Sequence, residues 1–220
     1  MNGCCFSWFY ALDSCISGVT GHRAETVASF RVIGSIFFVS ISMRSFTLGQ
    51  SINLVSKKIN RSVWLQMICH AETEYPEECC GVLLSSLTIA SSALEWQPCH
   101  NLQNLMHQLD PHHFPRDAKL AYIINPDEWR FIHRRIEAGE VELSLLYHSH
   151  IDTPAYFSDE DQRHAVWEEQ ALFPSTIHLV FSIIQGELDH WKAFEWDSDV
   201  SKFVEVSCGK ATDTYANFSG

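Results

Sequence analysis

Basic residues are scarce in this chain. It has 15 Lys and Arg against 27 Asp and Glu, which gives a formal net charge of -12. Its densest basic pair, Arg134 and Arg135, is followed closely by Glu137, Glu140 and Glu142. A surface of this sign repels phosphate groups unless a local basic patch overrides it. The sequence therefore predicts that neither nucleic acid nor a membrane is a partner.

Long apolar runs are also missing. The longest, residues 32–42, is too short to span a bilayer, and its N-terminal side lacks the short basic region of a signal peptide. The chain has eight cysteines, but its 220 residues exceed the length of small disulfide-rich secreted scaffolds. We therefore expect reduced thiols and a cytoplasmic location.

Several catalytic motifs are absent. The sequence has no Gly-rich phosphate loop, no His-Glu-x-x-His, and no His-x-Glu combined with Pro-Cys-x-x-Cys. These absences exclude several nucleotide-binding, metalloprotease and deaminase classes. With 46% hydrophobic, 12% aromatic and 19% charged residues, the composition is typical of a packed globular domain and excludes a disordered chain or a coiled coil.

The pattern divides the chain into three parts. Residues 1–50 show no clear periodicity and are interpreted as an N-terminal extension without an assigned structure. Residues 51–200 carry regular apolar patterns and are predicted to form one domain, followed by a C-terminal tail over residues 201–220. No internal repeats are visible.

Helical and strand patterns alternate along the domain. Ile59, Val63, Met67 and Ile68 lie on one helical face ahead of Pro76, and Asn125-Pro126 begins a second helix that Gly139 ends. Residues 101–117 are predicted to be a loop, and residues 158–170 a helix. Strands are predicted over residues 80–84, 88–96, 121–124, 141–147, 176–184 and 189–196. The resulting fold class is α/β (α+β), a mixed β-sheet flanked by helices.

The chemistry is concentrated between residues 148 and 161. Side chains alternate faces along a strand, so His148 and His150 point the same way and Ser149 points to the other face. Asp161 can return to them through the intervening loop. Two His and one carboxylate leave the fourth position of tetrahedral Zn²⁺ open for water, as in a catalytic site. Water bound there would have a pKa near neutrality.

Simpler interpretations of these residues stay open. Ser158-x-x-Asp161 is also a helix capping box, and a His-x-His pair at a strand end is more often solvent-facing or hydrogen-bonded than metal-bound. The capping role and the ligand role of Asp161 are compatible. Cys79 and Cys80 precede an apolar strand and are predicted to be buried thiols.

These residues resemble the motif of the JAMM (MPN+, Mov34/PAD-1) zinc metallopeptidases. That motif is an upstream Glu followed by His-[Ser/Thr]-His-x7-Ser-x2-Asp, and residues 148–161 match it without a gap. Residues 76–84 are similar to the Pro-x-Glu-Cys-Cys-Gly-x-Leu segment of the short, bacterial-type members, which places Glu78 at the upstream position. One departure is Ile151-Asp152, where many relatives have a Pro after the second His.

The resemblance implies an MPN/JAB-type domain, similar in architecture to cytidine deaminases, with one catalytic zinc per chain. His148, His150 and Asp161 would hold the zinc. Glu78 would take a proton from the zinc-bound water and deliver it to the leaving amine, and Ser158 would donate a hydrogen bond to the oxyanion.

The implied activity is hydrolysis of an amide or isopeptide bond at the C-terminus of a ubiquitin-like or sulfur-carrier protein. Two alternatives share the fold or the motif: a non-catalytic MPN-type interaction scaffold and a small-molecule zinc amidase. The sequence leaves the oligomeric state, the substrate protein and the metal used in the cell open.

Overall fold

The computed structural model describes residues 59–87 and 94–211. The extension predicted over residues 1–50 lies outside these ranges. The helices are α1 (Arg61–Glu74), α2 (Gln103–Leu109), α3 (Pro126–Glu137) and α4 (Asp159–Ala165). The strands are β1 (Cys80–Ser86), β2 (Leu94–Cys99), β3 (Val141–Ile151), β4 (Val166–Trp167), β5 (Gln170–Ala171), β6 (Ile177–Ile184), β7 (Glu187–Asp197) and β8 (Lys202–Lys210).

Within the described residues, six strands form one mixed sheet in the order β2-β1-β3-β6-β7-β8. Strands β3 and β6 are parallel, and every other neighbouring pair is antiparallel. The parallel pair needs a crossover connection, and α4 lies within it. The mixed sheet flanked by helices that the sequence predicts is therefore confirmed.

Apolar side chains cover both faces of the sheet. On one face α1 packs through Trp64, whose ring contacts Phe181 and Trp191 edge-on at centroid distances of 5.6 and 5.2 Å. On the other face Ile132 of α3 is fully buried against β1 and the start of β3. Residues on β3 alternate between these faces, as the period of a strand requires.

Helix α1 ends before Pro76 and α3 begins at Pro126, both as the sequence predicts, whereas α1 begins at Arg61, so Ile59 lies outside it. The Asn60 side chain accepts a hydrogen bond from the Val63 backbone N–H at the start of α1. Asn125 caps α3 in the same way through the Asp127 N–H, and Pro126 is its first residue. Gly139 follows α3 with φ +67°, a left-handed conformation in which a side chain would be strained.

The loop prediction for residues 101–117 and the strand prediction for residues 121–124 are wrong. Residues 103–109 form α2, and residues 121–124 contribute a single β-bridge, between Ile124 and Asn101. The reason is Asn101, whose side chain accepts from the Gln103 and Ile123 N–H groups and donates to the Glu78 and Ala121 carbonyls. Long-range side-chain hydrogen bonds, rather than apolar periodicity, define this region.

The helix predicted over residues 158–170 is shorter than expected. Helix α4 ends at Ala165, and β4 and β5 form a small hairpin whose turn holds Glu168 and Glu169 at φ 47° and 63°. Two carboxylates at the C-terminal end of a helix interact unfavourably with the helix dipole, which disfavours a longer helix.

Both edges of the described sheet differ from the predicted strands. Strand β2 runs to Cys99 and includes Pro98, which an edge strand tolerates; residues 88–93 lie outside the described ranges. Strand β8 pairs with β7 and lies in the stretch assigned to a C-terminal tail, so the sheet extends past residue 200. None of the helices in the described ranges has the length and apolarity needed to cross a membrane.

Replacing Asn101 by Ala should lower the free energy of unfolding by about 3 kcal/mol, because partly buried backbone groups of three segments lose their partners. Urea denaturation measures this difference. The control is Asn125→Ala, which removes one helix cap and should cost about 1 kcal/mol. Equal losses in the two variants would contradict the bridging role of Asn101.

Candidate metal centre

The C-terminal half of β3 places two imidazoles on one face of the sheet. His148 and His150 are buried, with 1% and 7% of their surfaces exposed. Tyr147, which directly precedes His148, points to the opposite face and packs in the core under α1. The sheet therefore holds both imidazoles rigidly on the side that α4 covers.

Three potential ligand atoms converge at this point. The Nε2 atoms of His148 and His150 lie 3.3 Å apart, and the His148 Nε2 lies 3.5 Å from the Asp161 Oδ1. All three ligand atoms lie within 4.8 Å of one another, so the group could hold a metal ion. The structure thus brings together the two His and the Asp that the sequence singles out.

Asp161 is held by the start of α4. Its Oδ2 accepts hydrogen bonds from the Ser158 N–H at 2.8 Å and the Ser158 hydroxyl at 2.6 Å, and its own N–H donates to the Ser158 Oγ. This is a complete capping box. Because Oδ2 is engaged in the cap, Oδ1 is left to face His148. The cap and the ligand role coexist in one carboxylate.

Each imidazole has an aromatic neighbour. Tyr122 stacks on His148 at a centroid distance of 4.7 Å, and Tyr156 contacts His150 edge-on at 4.7 Å. His150 Nδ1 lies 3.2 Å from the Pro154 carbonyl, which can accept a hydrogen bond from Nδ1–H and so favours the tautomer with an unprotonated Nε2. His148 Nδ1 is buried and has no hydrogen-bond partner among the described residues.

The electrostatic environment keeps the three groups in the protonation states that a cation requires. Burial lowers the pKa of His148 to about 4 and also lowers the pKa of His150. Burial alone would raise the pKa of Asp161, but His148 and the hydrogen bonds from Ser158 outweigh it and hold that pKa below its usual range. Two neutral imidazoles and one carboxylate therefore face each other at neutral pH.

Glu78 reaches the site through strand pairing. Cys80 of β1 is the register partner of His148, and one residue earlier Cys79 and Ser149 exchange two hydrogen bonds. The Glu78 N–H donates to the Ala118 carbonyl at 2.7 Å, and Asn101 holds its carbonyl. Glu78 is 6% exposed. A residue 70 positions before the first His is thereby fixed beside the centre.

Burial and, to a smaller extent, the charge of Asp161 raise the pKa of Glu78 to about 8, against the opposing effect of Arg116. A carboxyl group with a pKa near neutrality can both accept and donate a proton at working pH. Perturbed carboxyl groups of this kind are concentrated at functional sites. The raised pKa makes Glu78 a candidate acid–base group.

Several neighbours of the site were not predicted from the sequence. Tyr122, Pro154 and Tyr156 contact the imidazoles, and Arg116 pairs with Glu160 of α4 while influencing Glu78. Tyr122 lay in a segment predicted to be a strand, and no local pattern marks a backbone carbonyl such as that of Pro154. Cys79 and Cys80 are buried as predicted, and burial raises the pKa of the Cys79 thiol to about 12.

Replacing Glu78 by Gln should stabilise the metal-free protein in a pH-dependent way. The pKa of Glu78 is higher in the folded protein, about 8, than its ordinary value of 4.5. Its contribution to stability is therefore full below about pH 4.5 and is lost as the pH rises through about 8. At pH 9 the variant should gain roughly 3–5 kcal/mol relative to the wild type.

Thermal and urea unfolding of the metal-free proteins at pH 5 and pH 9 test this expectation. The matched control is Glu77→Gln, which changes the neighbouring carboxylate that accepts from the Asn104 side chain. A gain for Glu78→Gln that is the same at both pH values would contradict the assigned burial of its charge.

Comparisons with known proteins give one family model and several solved structures to which this chain is similar. A model of the family described as prokaryotic homologues of the JAB domain matches residues 60–197. A solved protein of Desulfitobacterium hafniense is 21% identical, with 66% of this chain and 86% of that chain covered and a TM-score of 0.45. A solved protein of Salinibacter ruber is 22% identical, with 66% of this chain and 84% of that chain covered and a TM-score of 0.41. No curated protein sequence matches this chain.

The family model spans more than half of the chain, from the start of α1 to the end of β7. It includes the paired strands that carry Cys80 and His148 and the helix that carries Asp161. The family expected from the motif is confirmed, and the chain belongs to the prokaryotic homologues of the JAB domain, within the JAB/MPN group.

Proposed function

We propose that this protein is a zinc-dependent metallopeptidase that hydrolyses an amide or isopeptide bond. The observation that carries the proposal is the convergence of two buried imidazole nitrogens and one carboxylate oxygen beside the buried carboxyl group of Glu78. Membership of the JAB-domain family supports a metallopeptidase-like role.

The donor set fits a zinc ion. Two neutral Nε2 atoms and one carboxylate oxygen are ligands that zinc accepts, and three protein ligands are typical of a catalytic zinc site, whereas structural zinc has four. The contact of His150 Nδ1 with the Pro154 carbonyl also supports a metal site, because it leaves Nε2 unprotonated. When bound, zinc supplies Lewis acidity, which polarises a carbonyl and lowers the pKa of water.

Glu78 is proposed as the acid–base group. Its carboxylate accepts a proton from the attacking water and then donates that proton to the leaving nitrogen. Its pKa of about 8 suits both steps, since the ionised and protonated forms are each accessible near neutral pH. The two backbone hydrogen bonds at Glu78 hold the group in place between the steps.

Ser158 has two proposed tasks. In this structure its hydroxyl donates to Asp161 and thereby orients a metal ligand. The family resemblance also implies that it donates to the oxyanion, which requires the hydroxyl to leave Asp161 Oδ2 during the reaction. Ser158→Ala separates the two tasks: loss of orientation weakens zinc binding, and loss of oxyanion stabilisation lowers kcat with zinc bound.

The proposed substrate class is the C-terminus of a ubiquitin-like or sulfur-carrier protein, as in the bacterial-type members that the sequence resembles. The exposed ring of Tyr156 beside His150 offers an apolar contact to an extended tail. Arg116, which is half-exposed and lies within electrostatic range of Glu78, offers a positive charge to a carbonyl or carboxylate oxygen. A cytoplasmic location remains a proposal.

Asp161→Ala should abolish zinc binding, because one of three donors is lost. Elemental analysis of the purified wild type should give about one zinc per chain, and the variant almost none. Asp159→Ala, which removes an exposed carboxylate from the same turn of α4, is the control and should keep its zinc. A folded wild type that stays free of zinc after supplementation would contradict the proposal and favour an interaction scaffold.

Glu78→Gln should keep zinc but lower kcat by about 10²- to 10⁴-fold, because the acid–base group is lost while the donors remain. The assay follows release of a C-terminal extension from a sulfur-carrier protein, and of ubiquitin from an isopeptide-linked lysine, by mass spectrometry. Glu77→Gln is the control. Near-normal hydrolysis by Glu78→Gln would refute the assigned role, and cleavage of small amides alone would indicate an amidase.

A further inference from the structure

The segment between β3 and α4 carries a group that orients a metal ligand. We call residues 152–157 the crossover loop. Its Pro154 carbonyl faces His150 Nδ1 at 3.2 Å, and this contact selects the imidazole tautomer whose Nε2 lone pair points at the centre. Whatever fixes the Pro154 carbonyl therefore also fixes the donor atom of His150.

Two side chains from neighbouring strands hold the loop on either side of Pro154. Ser182 of β6 and His190 of β7 are register partners. The Ser182 hydroxyl donates to the Thr153 carbonyl at 2.8 Å, and His190 Nε2 accepts from the Ala155 N–H at 3.0 Å. The backbone before and after Pro154 is thus hydrogen-bonded to one point of the sheet.

The second of these contacts requires a particular form of His190. An imidazole nitrogen that accepts a backbone N–H must be unprotonated, so the ring proton must be on Nδ1. The Asp189 carboxylate lies 2.7 Å from His190 Nδ1 and accepts a hydrogen bond from that N–H. The side chain of His190 is 23% exposed, so the pair is sheltered by the loop that it holds.

The first residue of the crossover loop is also held by hydrogen bonds. Asp152 adopts a left-handed backbone with φ 51°. Its carboxylate accepts from the Gln185 N–H at 2.8 Å and from the Tyr75 hydroxyl at 3.2 Å. Hydrogen bonds from the β6–β7 hairpin and from Tyr75, the residue that follows α1, therefore meet on this loop.

We propose that Asp189, His190 and Ser182 are positioning residues for the metal centre, acting on His150 through the backbone of the crossover loop. Asp189 fixes the tautomer of His190, His190 and Ser182 fix the loop on both sides of Pro154, and the Pro154 carbonyl fixes the tautomer of His150. This inference rests on the metal-dependent function proposed above and concerns how tightly that centre binds its ion.

The test uses the full chain and compares His190→Ala, His190→Gln and Ser182→Ala with the wild type. The Gln side chain places an amide oxygen near the position of His190 Nε2 and can accept from the Ala155 N–H. His133→Ala is the matched control, because His133 on α3 also pairs with a carboxylate, Glu137, outside the crossover loop. Thermal unfolding verifies that each variant is folded.

Two readouts are measured. The first is zinc affinity by chelator competition, where His190→Ala and Ser182→Ala should each bind roughly 10-fold more weakly and His190→Gln should recover most of the loss. The second is the ¹⁵N NMR spectrum of the imidazoles in the metal-free protein. In the wild type His150 should carry its proton on Nδ1, and in His190→Ala the two tautomers should mix.

A folded His190→Ala variant with wild-type zinc affinity and an unchanged His150 tautomer would overturn the proposal. So would a His190→Gln variant as defective as His190→Ala in both readouts, because an acceptor at that position would then be irrelevant. The NMR readout needs neither zinc nor substrate. It therefore tests the positioning of His150 by the crossover loop even if the wild type binds no zinc. That outcome would refute the proposed function alone.

Discussion

The antiparallel pairing of β1 with β3 is the constraint on which the site depends. The register that sets Cys80 opposite His148 also sets Cys79 opposite Ser149, whose backbone and side chain both bond to it. Continued by two residues, this register sets Glu78 beside His150, at the end of these two strands. A shift of one residue would turn Glu78 to the α1 face, away from the imidazoles.

Burial gives these residues their chemistry. Exposed singly to water, these imidazoles and carboxyl groups would titrate near their ordinary values. Under the cover of α4 the pKa of His148 is about 4 and that of Glu78 about 8. The centre therefore has neutral nitrogen donors beside a carboxyl group that exchanges its proton near neutrality. Uncompensated polar atoms, such as His148 Nδ1, are a cost of that burial.

Local patterns predicted much of the fold. The cap at Asn125, the alternation along β3 and the hairpin of β6 and β7 all follow from neighbouring residues, and each lies where it was expected. The errors occurred where distant side chains decide the backbone. Helix α2 has exposed Leu105 and Leu109 and depends on Asn101, and α4 ends early because its continuation is acidic.

In the candidate site, too, some residues could be predicted from the sequence and others could not. His148, His150 and Asp161 could be proposed from spacing because they lie close in sequence, and Glu78 could be proposed by family resemblance. Spacing could not show Pro154, Ser182 or His190, because their contribution is a backbone geometry assembled from β3, β6 and β7.

The position of Asp161 in the crossover connection has a consequence for folding. The three donors lie between residues 148 and 161, so closing that loop costs little chain entropy. Glu78 joins them through a pairing that spans 70 residues, so the loop that this pairing closes costs more chain entropy. The three donor atoms are thus brought together by a short stretch of chain, whereas the position of Glu78 depends on the pairing of two strands that are distant in sequence.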